Sequence, residues 1–540
     1  MTQEKRQEEA GAAASGGGRI AHNAGIFAAG TLTSRITGFV RDAAVVAVFG
    51  TALSDIWLLA WTLPNALRRL VGEGSLTVSF VPIFTGRLQE GREEARRFTG
   101  RALGAAALLL LLLCVLGIVF MPWIIEVLAG SWEEARKARA VEVGRVAFPY
   151  LWFIGLTALF MGALNTLGRF FVPAVCQVFL NLSLIVACLW VMLWGSGGVE
   201  SGLMALAWAA LIGGALQLGA NFLALKRAGM TPRPSLALAD PHVRRLALLM
   251  APATLAASIH QVNLLVSRAF AASVGPGAIT WLYSANVLIE LPLGIFAVSI
   301  AVASLPALAR HAKAGDREAY RATLASSLRQ VLYVTLPATA GLAALALPTV
   351  AVVFQRGAFG VSDSAATAAA LLAYAGGLPA IGCSRIVVQG FYALEDTRTP
   401  VLVGVISVLS FVALALFWMP GQGHVGIALA VSVTAWVNLA ANLLLLRRKF
   451  GRLGLSRVLG SGLRAALGAL LTGAAAWGVA SLGRWEAGAG ALDLLLLRNV
   501  GVLLLAVVAG AGTYAGVTLA LKSPEARALL GSLRRRLGRA

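Results

Sequence analysis

The sequence predicts an all-α, polytopic membrane protein, and three observations lead there. Hydrophobic residues make up 58% of the 540, charged residues only 13%, and mean hydropathy is +0.80; a soluble globular chain carries about 25% charged residues. Apolar runs near 20 residues recur from end to end, the length an α-helix needs to cross a bilayer, and they are too long and too continuous for barrel strands. The basic residues fall in alternate connectors, the pattern of the positive-inside rule.

About fourteen transmembrane helices are expected, at 25–49, 56–85, 102–129, 146–167, 171–192, 202–224, 246–272, 280–308, 330–355, 364–394, 400–419, 426–445, 465–481 and 499–521. Residues 1–22 are polar, with no apolar core before a cleavage site, and are read as a disordered cytoplasmic tail. That tail, the basic tail 522–540 and alternate connectors hold 32 of the 45 Lys and Arg; the opposite connectors hold 7, and 6 lie within spans. This bias places both termini in the cytoplasm, in agreement with an even number of spans. It also argues against nucleic-acid binding as the meaning of the +21 net charge, because the charge is dispersed among short connectors. Cys114, Cys176, Cys188 and Cys383 are scattered in apolar spans without metal-ligand spacing and read as packing residues. No connector can house a soluble catalytic domain, and no G-x-x-x-x-G-K-[ST] phosphate loop occurs, so no ATP hydrolysis of the chain's own is expected.

The chain repeats itself at an offset of 224 residues. Trp57-Leu58 recurs as Trp281-Leu282, Pro82 as Pro306, Gly91 as Gly315, Glu94-Ala95 as Glu318-Ala319 and Arg97 as Arg321. With three residues of drift, Pro173 recurs as Pro400, each opening a span after a short basic connector. The offset covers six spans, so the halves keep one orientation. Two pseudo-symmetric six-helix lobes are expected, 25–224 and 246–445, around a cleft, with helices 13 and 14 (465–521) outside the repeat.

Four arginines, Arg35, Arg41, Arg68 and Arg69, sit inside the first two spans. A charge at that depth costs several kcal/mol, so chains keep one there mainly where it works. Arg35 and Arg41 are about 120° apart on the helix and define a broad polar sector. Asp42 shares a face with Arg35, Arg69 and Glu73 are spaced to pair, and Arg68 has no obvious local partner. One reading has these arginines capping carbonyls or pairing with carboxylates. The other is an anion site, since guanidinium binds phosphate bidentately and stays charged. In the second lobe the charged intramembrane residues are Arg268, Glu290 and Arg385, and His260 is weighed as a proton relay. Pro64, Gly72, Gly74 and Pro82 in helix 2, and Pro292, Gly294 and Pro306 in helix 8, permit kinks.

The motifs Ser34-Arg35-x-x-Gly38-Phe39-x-Arg41-Asp42, Phe49-Gly50, Asp55, Leu63-Pro64-Asn65-x-Leu67-Arg68-Arg69-x-x-x-Glu73-Gly74 and Phe80-Val81-Pro82 resemble the MurJ/MviN lipid II flippases. Phe148-Pro149-Tyr150, Leu164-Asn165-Thr166, Arg169-Phe170, Pro173-Ala174, Phe354-Gln355-x-Gly357-x-Phe359, Gly390-Phe391-Tyr392 and Thr399-Pro400 extend the resemblance over nearly the whole chain. It implies the multidrug/oligosaccharidyl-lipid/polysaccharide exporter fold, and transport of the undecaprenyl-pyrophosphate-linked peptidoglycan precursor from the cytoplasmic to the periplasmic leaflet of the inner membrane. Arg35, Arg41 and Arg68 map onto the family's cavity arginines, and Asp42 and Asp55 onto its nearby acidic residues. Helices 13 and 14 would form a groove for the polyprenyl tail. No cofactor or metal is implied; the partners implied are lipid II, membrane lipids and the cell-wall synthesis machinery, with no nucleic acid. The chain departs from many members at Val287, where they carry an arginine, and Arg268 or Arg385 is expected to compensate. Span 400–419 has no acidic residue, so a sodium site like that of members with carboxylates there is not expected. Two other readings compete with lipid II transport: export of a different lipid-linked oligosaccharide, or a membrane-embedded glycosyltransferase. The latter needs a catalytic carboxylate in a sizeable outer loop, where Glu133-Glu134 is the only adjacent acidic pair.

Overall fold

A computed structural model describes residues 3–70, 76–194, 199–451, 453–485 and 494–537, with side chains in the first segment from residue 29 on. Nearly every described residue is helical, because a backbone in hydrocarbon must satisfy its own N–H and C=O groups. Among the described residues, nine helices are long and apolar enough to cross a membrane, or eleven if each of two bent pairs counts as one span. Two of the nine, α1 (Gln3–Arg68) and α16 (Arg398–Phe450), each cover two expected spans, kinked at Gly50 and Gly423. Both glycines have φ near +60°, a conformation that a side chain would strain. Another helix, α9 (Pro241–Val274), covers the expected span 246–272. Helix α1 starts at Gln3, ahead of the expected start at residue 25; Ala, Glu, Gln, Lys and Arg in that segment favour helix over coil.

The chain divides into two compact units. The first comprises Met1–Phe49 and Ile56–Gln261, the second Gly50–Asp55 and Val262–Ala540. The main division thus falls inside α9 and not in the connector 225–245.

In the first unit α1 is followed by α2 (Leu76–Glu90), α3 (Arg92–Val119), α4 (Met121–Ala129), α5 (Glu134–Ala147), α6 (Tyr150–Thr166), α7 (Phe171–Trp194) and α8 (Val199–Arg227). Helix α6 is the buried centre: Tyr150, Leu151, Leu159, Ala163 and Leu164 have no exposed surface. The outer faces are apolar too. Leu109, Leu111 and Leu112 of α3 are more than half exposed, and contiguous apolar exposure of this kind marks a surface meant for lipid.

The second unit adds α10 (Ala278–Pro292), a π turn at Leu293–Ala297, α11 (Val298–Lys313), α12 (Arg317–Ala344), α13 (Ala346–Phe354), α14 (Val361–Ala375) and α15 (Leu378–Ala393). After α16 come α17 (Leu455–Ala480), α18 (Leu494–Ala520) and α19 (Pro524–Leu537). Helix α15 corresponds to α6 in the repeat and is likewise buried, through Leu378, Ile386, Val387 and Phe391. The two bent pairs are α12 with α13, at 74°, and α14 with α15, at 44°. The π turn directly follows Pro292, which cannot donate the hydrogen bond an α turn requires there.

The turn between α15 and α16 is held by Asp396. Its carboxylate accepts from the Thr399 N–H at 3.0 Å and the Thr399 hydroxyl at 2.6 Å, and pairs with Lys449 at the far end of α16. Burial works against ionisation, but the hydrogen bonds from Lys449 and Thr399 outweigh it and hold the carboxyl down to about 2. A carboxyl with a lowered folded-state pKa stabilises the fold above its unfolded value, near 3.9, and that contribution is lost as pH falls through about 2. Asp396→Asn is expected to cost about 1–2 kcal/mol at pH 7, less than the full linkage because Lys449 is half exposed. Thermal unfolding in detergent checks this: the gap between wild type and variant should close between about pH 4 and pH 2, and a gap independent of pH would contradict it.

Candidate functional site

The first limb of α1 carries Arg35 and Arg41, and the helix turns them to different surroundings. Arg41 faces α7 and is largely buried. Its Nε and Nη2 donate to one Asp42 carboxylate oxygen at 3.0 and 2.7 Å, and its Nη1 donates to Asn181 Oδ1 at 2.9 Å. Asn181 is itself 1% exposed. Its amide nitrogen donates back to α1, to the Ser34 carbonyl and the Thr37 hydroxyl, both at 3.0 Å. Since the nitrogen has these two acceptors, the oxygen must face the guanidinium. Gly38 lies beside this contact: a Cβ there would sit 3.4 Å from the Asn181 amide nitrogen, an ordinary van der Waals separation.

Asp42 therefore neutralises Arg41 and not Arg35, with which it shares a face in the sequence pattern. Arg35 is exposed, and among the described residues its guanidinium has no hydrogen-bond or ion-pair partner. On the second limb of α1, Arg68 is half-buried and donates from Nε to Asn65 Oδ1 at 3.0 Å, so it does have a local partner, one turn back. Glu73, the expected partner of Arg69, lies outside the described residues, as do Gly72, Gly74 and the side chain of His260.

A second polar layer lies between α6, α7 and α8. Tyr150 donates its hydroxyl proton to Gln217 Oε1 at 3.2 Å; Gln217 donates to the Cys176 carbonyl at 3.2 Å, and Asn221 to the Gln217 carbonyl at 2.9 Å. Sequence reasoning missed Asn181, Gln217 and Asn221. The available signal was an amide side chain interrupting an apolar run, as in Phe179-Leu180-Asn181-Leu182; which of these amides serves an arginine depends on tertiary packing.

Asp55 belongs to the second unit and is fully buried. It accepts from the Gly277 N–H at 2.6 Å, the Thr280 N–H at 2.8 Å and the Thr280 hydroxyl at 2.7 Å. Gly277 is the cap residue of α10, so Asp55 supplies from a remote segment the carboxylate that a helix N-terminus usually takes from its own cap. Nearby, Asp363 accepts from Thr51 at 3.0 Å and from the Trp281 indole at 2.9 Å.

The remaining charged candidates meet on one stripe of α10. The Arg268 guanidinium lies 5.1 Å from the Tyr283 ring centroid, and Arg385 is 3.9 Å from Glu290. Tyr283 and Glu290 stand four residues before and three after Val287, on the same helix face. Two cations from neighbouring helices thus flank the position where the sequence lacks one.

This arrangement can hold positive charge within an apolar interior, and comparison with known proteins agrees in family and fold. The family model described as lipid II flippase MurJ matches residues 45–515. The probable lipid II flippase MurJ of Bdellovibrio bacteriovorus is 35% identical over 429 residues, covering 78% of this chain and 80% of the relative. The corresponding Vibrio cholerae protein is 34% identical over 477 residues, covering 85% and 89%. Among solved structures, one described as lipid II flippase MurJ in an inward closed conformation aligns with a TM-score of 0.73 at 23% identity, covering 91% of this chain and 99% of that one. An inward-facing multidrug resistance MATE family transporter aligns at 0.65 and 15% identity, covering 78% and 95%. The membrane-spanning helices, the two-unit build and the match over most of its length show that this chain belongs to the lipid II flippase MurJ family.

Proposed function

We propose that this chain carries lipid II from the cytoplasmic to the periplasmic leaflet of the bacterial inner membrane by alternating access, as a carrier and not an enzyme, with both termini in the cytoplasm. The observation that carries the proposal is the Arg41–Asp42–Asn181 network: a guanidinium held inside an apolar unit by a carboxylate and a buried amide. Arg41 and Arg68 are held in place by local acceptors, while Arg35 is exposed and ready to take an anion. Together they would receive the pyrophosphate, for which guanidinium geometry is suited. Asp42 sets the charge and orientation of Arg41. Asp55 acts at a distance, by capping α10. Helices α17 and α18, whose Leu459, Leu463, Leu470 and Leu505 are exposed, would accommodate the polyprenyl tail.

A second-unit contribution from Arg268, Glu290 and Arg385 is favoured by their placement around Val287. Either arginine, re-aimed by about one side-chain length, would supply the charge that helix lacks.

Arg41→Ala is expected to abolish rescue of a depleted strain while the protein still inserts. Lipid II should then stay inaccessible from the periplasm; full rescue would remove Arg41 from the anion site. Asn181→Ala leaves Arg41 charged but loosely held, so lipid II affinity should fall about tenfold, as expected for a lost charge-assisted hydrogen bond. An unchanged dissociation constant would reduce Asn181 to packing. Arg268→Ala and Arg385→Ala should each reduce transport, and the double variant should reduce it further; full complementation by the double variant would exclude compensation for Val287.

A further inference from the structure

A second anion site lies away from the Arg41 network, where α7 begins and α8 ends. The connector from α6 turns tightly there: Gly168 is left-handed, with φ 75°, and the Arg169 N–H returns to the Leu164 carbonyl at 2.9 Å. This turn places Arg169 at the mouth of a cavity of about 350 Å³, lined also by Phe170, Phe171, Ala224 and Arg227. Arg227 is the last residue of α8. Both arginines are exposed, and among the described residues neither guanidinium has a hydrogen-bonded or ion-paired partner. Phe171, in the lining, is 63% exposed, and Phe222 and Leu223, about one turn before Arg227 on α8, are also exposed. Both helices are spans, so their shared end lies at a membrane–water boundary, with two cations above an apolar wall.

The repeat shows what this place lacks. The drift that aligns Pro173 with Pro400 sets Arg169 against Asp396. The amide pairs Gln217–Asn221 and Asn438–Asn442, each closed by a side-chain bond to the earlier residue's carbonyl, align the ends of α8 and α16 and set Arg227 one residue from the counterpart of Lys449. In the second unit the carboxylate of Asp396 neutralises Lys449. In the first, an arginine stands where the second has the carboxylate, a cation lies within one residue of the place of Lys449, and both line the cavity.

We infer that the cavity between Arg169 and Arg227 binds the phosphate of an anionic glycerophospholipid headgroup, with the acyl chains lying along Phe171, Phe222 and Leu223. The two guanidiniums supply charge-assisted bonds to the phosphate oxygens, and the exposed apolar residues distinguish a lipid from free phosphate. The site is separate from the lipid II reading and does not depend on it.

Native mass spectrometry of the full chain, titrated with phosphatidylglycerol, tests this directly. Wild type should retain one more tightly held lipid than the double variant R169Q/R227Q, whose affinity for that lipid should fall about tenfold or more. Inorganic phosphate at the same concentration should not displace the lipid. Arg169→Asp, which recreates the arrangement of the second unit, should pair internally with Arg227, abolish the extra lipid and leave the melting temperature unchanged or raised. The inference is overturned if the double variant or Arg169→Asp keeps wild-type lipid occupancy. It is equally overturned if inorganic phosphate competes at the lipid's own affinity.

Discussion

A guanidinium keeps its charge wherever it sits, so an apolar helix bundle can hold one at tolerable cost only if acceptors replace the water it has lost, and much of the first unit is arranged around meeting that demand for Arg41. Asp42 supplies charge from the next residue, but two adjacent residues on a helix cannot surround a planar group with five donors. Asn181 completes the shell from α7, its own amide nitrogen held by Ser34 and Thr37 so that its oxygen faces the guanidinium. The polar contacts between α1 and α7 therefore form one cooperative unit. Breaking any member leaves a buried polar group unmatched, at a cost of about 1–3 kcal/mol.

The same accounting explains how the second unit treats its charges. Asp55 is fully buried, yet its carboxyl oxygens are satisfied by two N–H groups and a hydroxyl at the start of α10. Arg268 rests over an aromatic face and Arg385 lies near a carboxylate. Each unit disperses the energetic cost of its charges over helix ends, amides and rings, and the two units do it with different residues, although they share the same underlying repeat.

How far the sequence discloses this depends on the kind of signal. Span positions were legible because hydrocarbon thickness sets the length of an apolar run, and every expected span overlaps a described helix, although α3, α12 and α17 begin ten or more residues earlier. The burial of α6 and α15 at the centre of their units was not legible, because apolar residues face lipid and core alike in such a chain. Breaks were legible where one span was expected to give way to the next: the kinks at Gly50 and Gly423 fall between the expected spans 25–49 and 56–85, and 400–419 and 426–445, and the π turn follows Pro292, a residue expected to permit a kink. At the candidate site the arginines stood out because charge is rare in such a chain. Their partners did not. Asn181 is 140 residues from Arg41, and Asp55 finds its donors more than 220 residues away; no local pattern specifies contacts over such separations.

The π turn at Leu293–Ala297 has a mechanical meaning. It holds one residue more than an α turn, so everything after it is set about 100° round the axis from where an unbroken α-helix would put it. The segment from Ala278 to Lys313 is thus two rods offset in azimuth: the upstream rod bears Tyr283, Val287 and Glu290, the downstream rod Ser304 and Leu308. The charged stripe and the buried face of the second rod are aimed independently, within one span.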